Sequence, residues 1–249
     1  MRETEHICVG VLIPTYRHAQ SIEKVVSGAL EYLPRVLVVV DGGGDDTMER
    51  LEGLSISVLH FPRNLGKGAA LKAGFREAAR LGWTHAITMD SDGQHKAQNI
   101  PDFVRAIRLK PEAIILGDRD MDAPQVPSSS KFGKNFTNFW IWVETGHRVA
   151  DGQSGFRAYP LARVNALSTW FNRYEFEVEV LTRSLWKWTE VTSIPVLVDY
   201  KPEGGRISHF RPFLDNLRTS WLNTILCTTR VLQIVLVFPI VLQKKGRKW

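Results

Sequence analysis

A chain of 249 residues, 44% of them hydrophobic, can bury one substantial core without disulfide staples. Its two cysteines, Cys8 and Cys227, stand near opposite ends in apolar settings, as small buried hydrophobes in a reducing compartment do. The net charge of +6 is spread along the chain, with no basic run interleaved with aromatics before the extreme C-terminus, so it favours anionic small molecules or anionic lipid over nucleic acid.

The first residues enter an apolar run almost at once and lack the pattern of a secretory signal. Ile7 to Ile13 is that run, closed by Pro14, and Ile22 to Leu33 has helical spacing. Val36 to Val40 is a β-branched run ending at Asp41 and three glycines. Ile56 to Phe61, Ala86 to Met89 and Ile114 to Leu116 are further runs, and Gly68 to Leu81 and Ile100 to Leu109 read as the helices between them. Alternating strands and helices predict an α/β fold, a mostly parallel central sheet with helices on both faces. Uniformly apolar strands fit a sheet covered on both sides.

Ligands of such sheets collect beyond the carboxyl ends of the strands. The polar residues fall there: Thr15-Tyr16-Arg17, Asp41 to Asp45, Arg63-Asn64, Asp90-Ser91-Asp92 and Asp118-Arg119. Convergence of all these ends on one edge predicts an active site at that edge.

Two phosphate-binding motifs fail. A P-loop needs Gly-Lys-Ser/Thr, but Gly66-Lys67 is followed by Gly68, and Phe61 replaces the first glycine. A dinucleotide fingerprint should follow the first strand; Gly42-Gly43-Gly44 follows the second, lacks the third spaced glycine and carries aspartates that would repel a pyrophosphate. Asp90-Ser91-Asp92 fits better as an Asp-x-Asp pair. Residues i and i+2 of an extended segment point the same way, so both carboxylates can approach one hard cation, Mg²⁺ or Mn²⁺, which keeps positions open for substrate phosphates. Such a cation neutralises charge on a departing diphosphate.

The run of segments resembles the family 2 glycosyltransferases, and within them the dolichyl-phosphate-mannose-synthase-like branch. The matching residues are Ile13-Pro14-Thr15-Tyr16, Val38 to Thr47, Asn64-Leu65-Gly66-Lys67-Gly68, Met89 to His95, Gly117-Asp118-Arg119, Asp151 to Arg157 and Ser208-His209-Phe210, in family order. The resemblance implies a GT-A fold and an inverting transfer of one hexose from a GDP- or UDP-sugar, often to a polyprenyl phosphate. It implies that Pro14, Tyr16 and Asp41 line the nucleoside pocket, and that Asp90 holds ribose or a metal-bound water. Asp92 with Gln94 would hold the cation, and Lys67, Arg119 and Arg157 would meet phosphate. Where the family has two adjacent aspartates ending the second strand, this chain has Val40 before Asp41, so base identity stays open. His95 has three readings: ligand, orienting group or solvated side chain. Glu175, Glu177 and Glu179 read equally as a strand or helix start and as acceptor contacts.

Asp151 divides the mechanisms. A hydroxyl acceptor needs a general base, whereas a phosphate monoester, with a second pKa near 6, is ionised at neutral pH and needs none. In the second case Asp151 would orient Arg157 or acceptor groups. The loop 204–210, with Ser208, reads as a mobile loop, and the resemblance implies that it closes over donor diphosphate or acceptor phosphate as a lid that excludes water. A glycan or glycolipid hydroxyl as acceptor, and a non-catalytic nucleotide-sugar binder, are the competing functions.

The catalytic domain is expected over residues 1–212, with a membrane-associating helical segment over 213–249. Leu214, Leu217, Trp221, Ile225 and Leu232 share a helical face, and Val231 to Leu242 is nearly all apolar ahead of Lys244-Lys245-Gly246-Arg247-Lys248-Trp249. That apolar run would reach about 18 Å, short of the roughly 30 Å hydrocarbon core, so an interfacial helix is expected on the cytoplasmic face, peripheral or monotopic. A contact with protein core or with a second subunit is the alternative. The expected partners are a nucleotide-sugar donor and a lipid acceptor at the membrane surface, with homo-oligomerisation open.

Overall fold

The computed structural model describes residues 6–122, 126–200, 218–232 and 235. Strand β1 (Val9–Thr15) lies between β2 (Val36–Asp41) and β4 (His85–Thr88), with β3 (Ser57–Phe61) beyond β2. Strands β5 (Ile114–Arg119), β6 (Arg157–Pro160) and β7 (Val191–Val196) complete one seven-stranded sheet in the order β3-β2-β1-β4-β6-β5-β7. All neighbours are parallel except at β6, which runs antiparallel to both β4 and β5.

The period of two along a strand divides the core. Leu12, Leu37 and Val39 face one apolar cluster; Val11, Ile13, Val38 and Val40 face the other. The first cluster is closed by α3 (Lys67–Arg80) through Leu71, Phe75 and Ala78, by α7 (Glu175–Trp186) through Phe176, Val180 and Leu181, and by Leu222 and Leu226 of the helical residues 218–232. The second is closed by α1 (Ala19–Leu30) through Ile22, Val25 and Val26, and by α4 (Ile100–Leu109) through Phe103 and Ile107. Short helices α2 (Thr47–Leu51) and α6 (Leu161–Asn165), and the 18-residue α5 (Ser128–Thr145), complete the set.

The apolar runs read from the sequence are β1 to β5, and the spaced segments are α1, α3 and α4. The sheet is not wholly parallel because of β6, whose reversal brings its first residue to the carboxyl edge of its neighbours. Glu175, Glu177 and Glu179 open a helix, α7, with all three side chains buried. No helix among the described residues is long and apolar enough to cross a membrane. Residues 218–232 are helical and dock through Leu222 and Leu226, the protein-contact alternative, while Trp221, Val231 and Leu232 stay exposed. The loop 204–210 with Ser208, and the basic tail 244–249, lie outside the described residues.

Candidate active site

The site is assembled where β1, β2, β4 and β5 end and β6 begins. Beyond β2, the Asp41 carboxylate accepts the backbone amides of Leu65 at 2.6 Å and Gly66 at 2.8 Å. This ties the β2 end to the turn that opens α3. Gly66 must be glycine: its φ is +103°, and a Cβ would stand 2.5 Å from the Asn172 carbonyl. The turn delivers Lys67 into the cleft. Pro14, by contrast, is buried within β1, while Tyr16 lies half-buried just past its end, with the Arg17 guanidinium 5.3 Å from its ring centroid.

Beyond β4, Asp90 Oδ1 accepts from the Lys67 ammonium at 2.6 Å, and the same ammonium lies 3.0 Å from Glu177 Oε2 at the start of α7. Burial alone would raise the Asp90 pKa, but Lys67 outweighs it and holds the carboxyl down at about 2. Burial likewise opposes the charge on Lys67, and Asp90 with Glu177 outweighs it, so the lysine stays protonated above its ordinary range. Gly155 lets the β6 loop approach this pair: a Cβ there would fall 2.5 Å from Asp90 Oδ2.

Asp92 remains partly exposed, with Oδ1 accepting the Gln94 amide at 3.0 Å in a tight local turn. His95 takes the orienting role: its Nδ1 accepts the Asp90 amide at 3.1 Å, and its ring stacks on Phe156 at 4.9 Å. Burial lowers its pKa, consistent with a neutral ring that accepts at Nδ1. Among the described residues no group of three or more His, Cys, Asp or Glu is disposed to hold a metal. Asp92 nevertheless fits Mg²⁺ or Mn²⁺, because such ions are held by one or two carboxylates and complete their shells with water and substrate phosphates. Asp90, engaged by Lys67, is the less available of the pair.

Beyond β5, Arg119 grips Asp151 in a bidentate pair, Nε to Oδ2 at 2.6 Å and Nη2 to Oδ1 at 3.0 Å. Asp151 is 0% exposed and also accepts the amides of Gln153 and Ser154, each at 3.1 Å. Lys134, on α5, donates to Asp118 Oδ1 at 2.7 Å and to the Arg119 carbonyl at 3.3 Å. Asn138 of the same helix holds the Asp151 loop, accepting from Gly152 and donating to Ala150.

Two expectations change. Arg157 is not set toward a phosphate: it is fully buried and donates to the carbonyls of Ser154, Gly152 and Glu177 and to the Tyr159 hydroxyl. A guanidinium desolvated to this degree is spent on satisfying its own donors. Asp151 orients Arg119, not Arg157. Glu179 is likewise structural, accepting the amides of Trp170 and Phe171 and the Arg183 guanidinium. The residues sequence reasoning left out are Glu177 as the partner of Lys67, and Lys134. The first carried an ambiguous signal, alternation with apolar residues; the second carried none.

The cations of this edge are already paired, Lys67 with Asp90 and Glu177, Arg119 with Asp151 and Lys134 with Asp118, around the partly exposed Asp92, so a polyanion would be received there together with a divalent ion. Comparison with known proteins gives the family. The chain is 27% identical over 213 residues to a UDP-N-acetylglucosamine–dolichyl-phosphate N-acetylglucosaminyltransferase of Methanococcus voltae, covering 76% of this chain and 85% of that one. It is 26% identical over 198 residues to an undecaprenyl-phosphate mannosyltransferase of Micrococcus luteus, covering 74% and 81%. The fold matches that of glucosyl-3-phosphoglycerate synthase from Mycobacterium tuberculosis, solved with Mn²⁺, UDP and glucosyl-3-phosphoglycerate, at a TM-score of 0.65 and 17% identity over 90% of this chain and 80% of that one. It is the α/β arrangement of the GT-A glycosyltransferases. Residues 10–162, more than half of the sequence, match the glycosyl transferase family 2 domain, and the chain belongs to that family.

Proposed function

We propose that the protein moves a hexose from a GDP- or UDP-sugar to a polyprenyl phosphate at the cytoplasmic face of a membrane, with inversion at the anomeric carbon. The observation that carries the reading is the state of Asp151. Its oxygens are taken by Arg119 and two amides, and it has no exposed surface. A carboxylate so held is a poor general base, because a base must reach the proton it removes. A phosphate acceptor requires no base: its dianion attacks the anomeric carbon as the bond to the diphosphate breaks, and the electron pair leaves with the nucleoside diphosphate. Polyprenyl-phosphate acceptors in the names of the relatives point the same way.

Asp92 and Gln94 would hold Mg²⁺ or Mn²⁺, the ion crystallised with UDP in the structural neighbour, and a bound cation would neutralise charge on the leaving diphosphate. Lys67, set by Asp90 and Glu177, would donate a hydrogen bond to the diphosphate at the same end of the cleft. Arg119, fixed by Asp151 and backed by Lys134, would meet the acceptor phosphate, and a preorganised donor of this kind costs no reorganisation during the reaction. Pro14, Tyr16 and Asp41 belong to the nucleoside side. Pro14 and Asp41 act there mainly by shaping the turns, and Tyr16 offers a partly exposed ring.

A panel of UDP- and GDP-sugars, with a short-chain prenyl phosphate and the matching prenyl alcohol as acceptors, tests this directly. The expected product forms with the phosphate and Mn²⁺ or Mg²⁺, not with the alcohol, and disappears in Asp92→Asn. Transfer to the alcohol or to a glycan hydroxyl, abolished by Asp151→Asn, would replace this reading with the hydroxyl-acceptor one.

A further inference from the structure

Arg17, two residues past the end of β1, has a backbone φ of +55°, a left-handed value shared outside glycine only by Trp188 among the described residues. Such backbone is uncommon for a residue with a Cβ and persists where the surroundings impose it. The guanidinium lies over the Tyr16 ring, 5.3 Å from its centroid, with Nη2 3.6 Å from the place a Cβ would take on Gly44. Unlike Lys67, Arg119 and Lys134, it makes no hydrogen bond or ion pair with any described residue. Asp41 and Asp45, which bracket the three glycines after β2, are spent. Asp41 accepts the amides of Leu65 and Gly66, and Asp45 those of Ala19 and Thr47 at 3.3 and 3.4 Å. Gly43 and Gly44 are exposed, and a Cβ on Gly43 would meet nothing nearer than His60 Nε2 at 3.9 Å. The strip between Arg17 and His60 is bare backbone, open to a flat ligand.

We propose that Arg17 selects the nucleobase of the donor and that the base is guanine, so that the protein takes a GDP-sugar. The inference rests on the proposed nucleotide-sugar donor and adds which base it carries. A guanidinium over an aromatic face is held by its plane and keeps its N–H edge for a ligand. Guanine presents two adjacent acceptors, N7 and O6, the edge that an arginine fork bonds in bidentate fashion. Adenine sets the N6 amino group, a donor, beside N7, and would turn N–H against N–H. Uracil offers O4 beside the N3–H, so only one bond forms. Reading uracil through N3–H would instead need an acceptor, and the β2 end has none to give: Val40 is apolar, and Asp41 and Asp45 are already engaged. Size favours the same choice, because a purine can lie along the exposed Gly43-Gly44 strip without displacing a side chain.

The test is calorimetric titration of the full chain, with Mn²⁺ present, by GDP, UDP and ADP. GDP is expected to bind about tenfold more tightly than either of the others. Arg17→Ala should remove most of that margin, weakening GDP strongly while moving UDP and ADP by about twofold or less. 7-Deaza-GDP, with C–H in place of N7, probes the same bond without altering the protein. It should bind the wild type several-fold more weakly than GDP, and bind Arg17→Ala as well as GDP does. Equal binding of GDP and UDP by the wild type, or tighter binding of UDP, would overturn the proposal. So would an equal loss of all three nucleotides in Arg17→Ala, which assigns the guanidinium to the diphosphate. A chain that binds none of the three removes the proposed donor and this inference together. One that selects GDP through Arg17 yet transfers nothing to any prenyl phosphate removes the proposed acceptor and leaves Arg17 its role.

Discussion

At the scale of single residues, the site is organised by charges that neutralise one another before any ligand arrives. Lys67 spans Asp90 and Glu177, and removing it leaves two carboxylates facing each other across the cleft. Asp90 retains 29% side-chain exposure, so the cost falls below that of a fully buried broken pair; Lys67→Met is expected to destabilise the fold by about 1–3 kcal/mol. The sign of the pH effect follows from the depressed Asp90 value. Its stabilisation is present above the ordinary carboxyl range and is lost as pH falls through about 2. Carboxyl-carbon NMR should therefore show Asp90 titrating near 2 in the native protein and at a markedly higher pH in Lys67→Met. An unmoved titration would show that Lys67 does not hold the aspartate. The placement of Asp41, Asp90 and Asp92 at strand ends was legible in the sequence because each follows a short apolar run, and strand ends are where a parallel sheet gathers its ligands. The roles of Arg157 and Asp151 were not legible. Both belong to one motif, and only burial and pairing distinguish an arginine spent on carbonyls from one that faces a cleft.

At the scale of elements, the strands that could be read were those buried on both faces. Strand β6 has four residues, starts with a buried arginine and ends with proline, so no apolar run announces it. Helix α5 was invisible for a related reason: its apolar residues are outward, and its inward face is Thr137, Ile141 and Glu144, so the usual periodicity is absent. Glu144 gives that element a measurable signature. Burial pushes its carboxyl up to about 7, only partly opposed by the hydroxyl of Thr182, which donates to Oε2 at 2.9 Å. A carboxyl raised on folding contributes stability below its unfolded pKa and loses it as pH rises through the folded value. Thermal stability is thus expected to decline between about pH 4.5 and 7 through this group and to level off above. Glu144→Gln should flatten that decline and be the more stable protein at pH 8 by about 1–2 kcal/mol. Parallel melting curves for the two proteins across this range would refute a buried titration at Glu144.

At the scale of the whole molecule, one sheet edge collects the charged side chains of the candidate site, and one helix connects that edge to an exposed aromatic face. The antiparallel β6 is what makes the edge work, because it returns Gly155 to Asp90 while its preceding loop carries Asp151 to Arg119. The central claim is that the nucleophile is an ionised phosphate and that no protein base intervenes. It is tested most directly by the pH dependence of kcat/KM for a prenyl phosphate and for the corresponding prenyl phosphonate, whose second ionisation lies higher. The account predicts a single acidic limb with a midpoint near 6 for the phosphate, displaced upward with the acceptor's own pKa for the phosphonate. A limb that stays at the same pH for both acceptors would place the essential proton on the protein and contradict it.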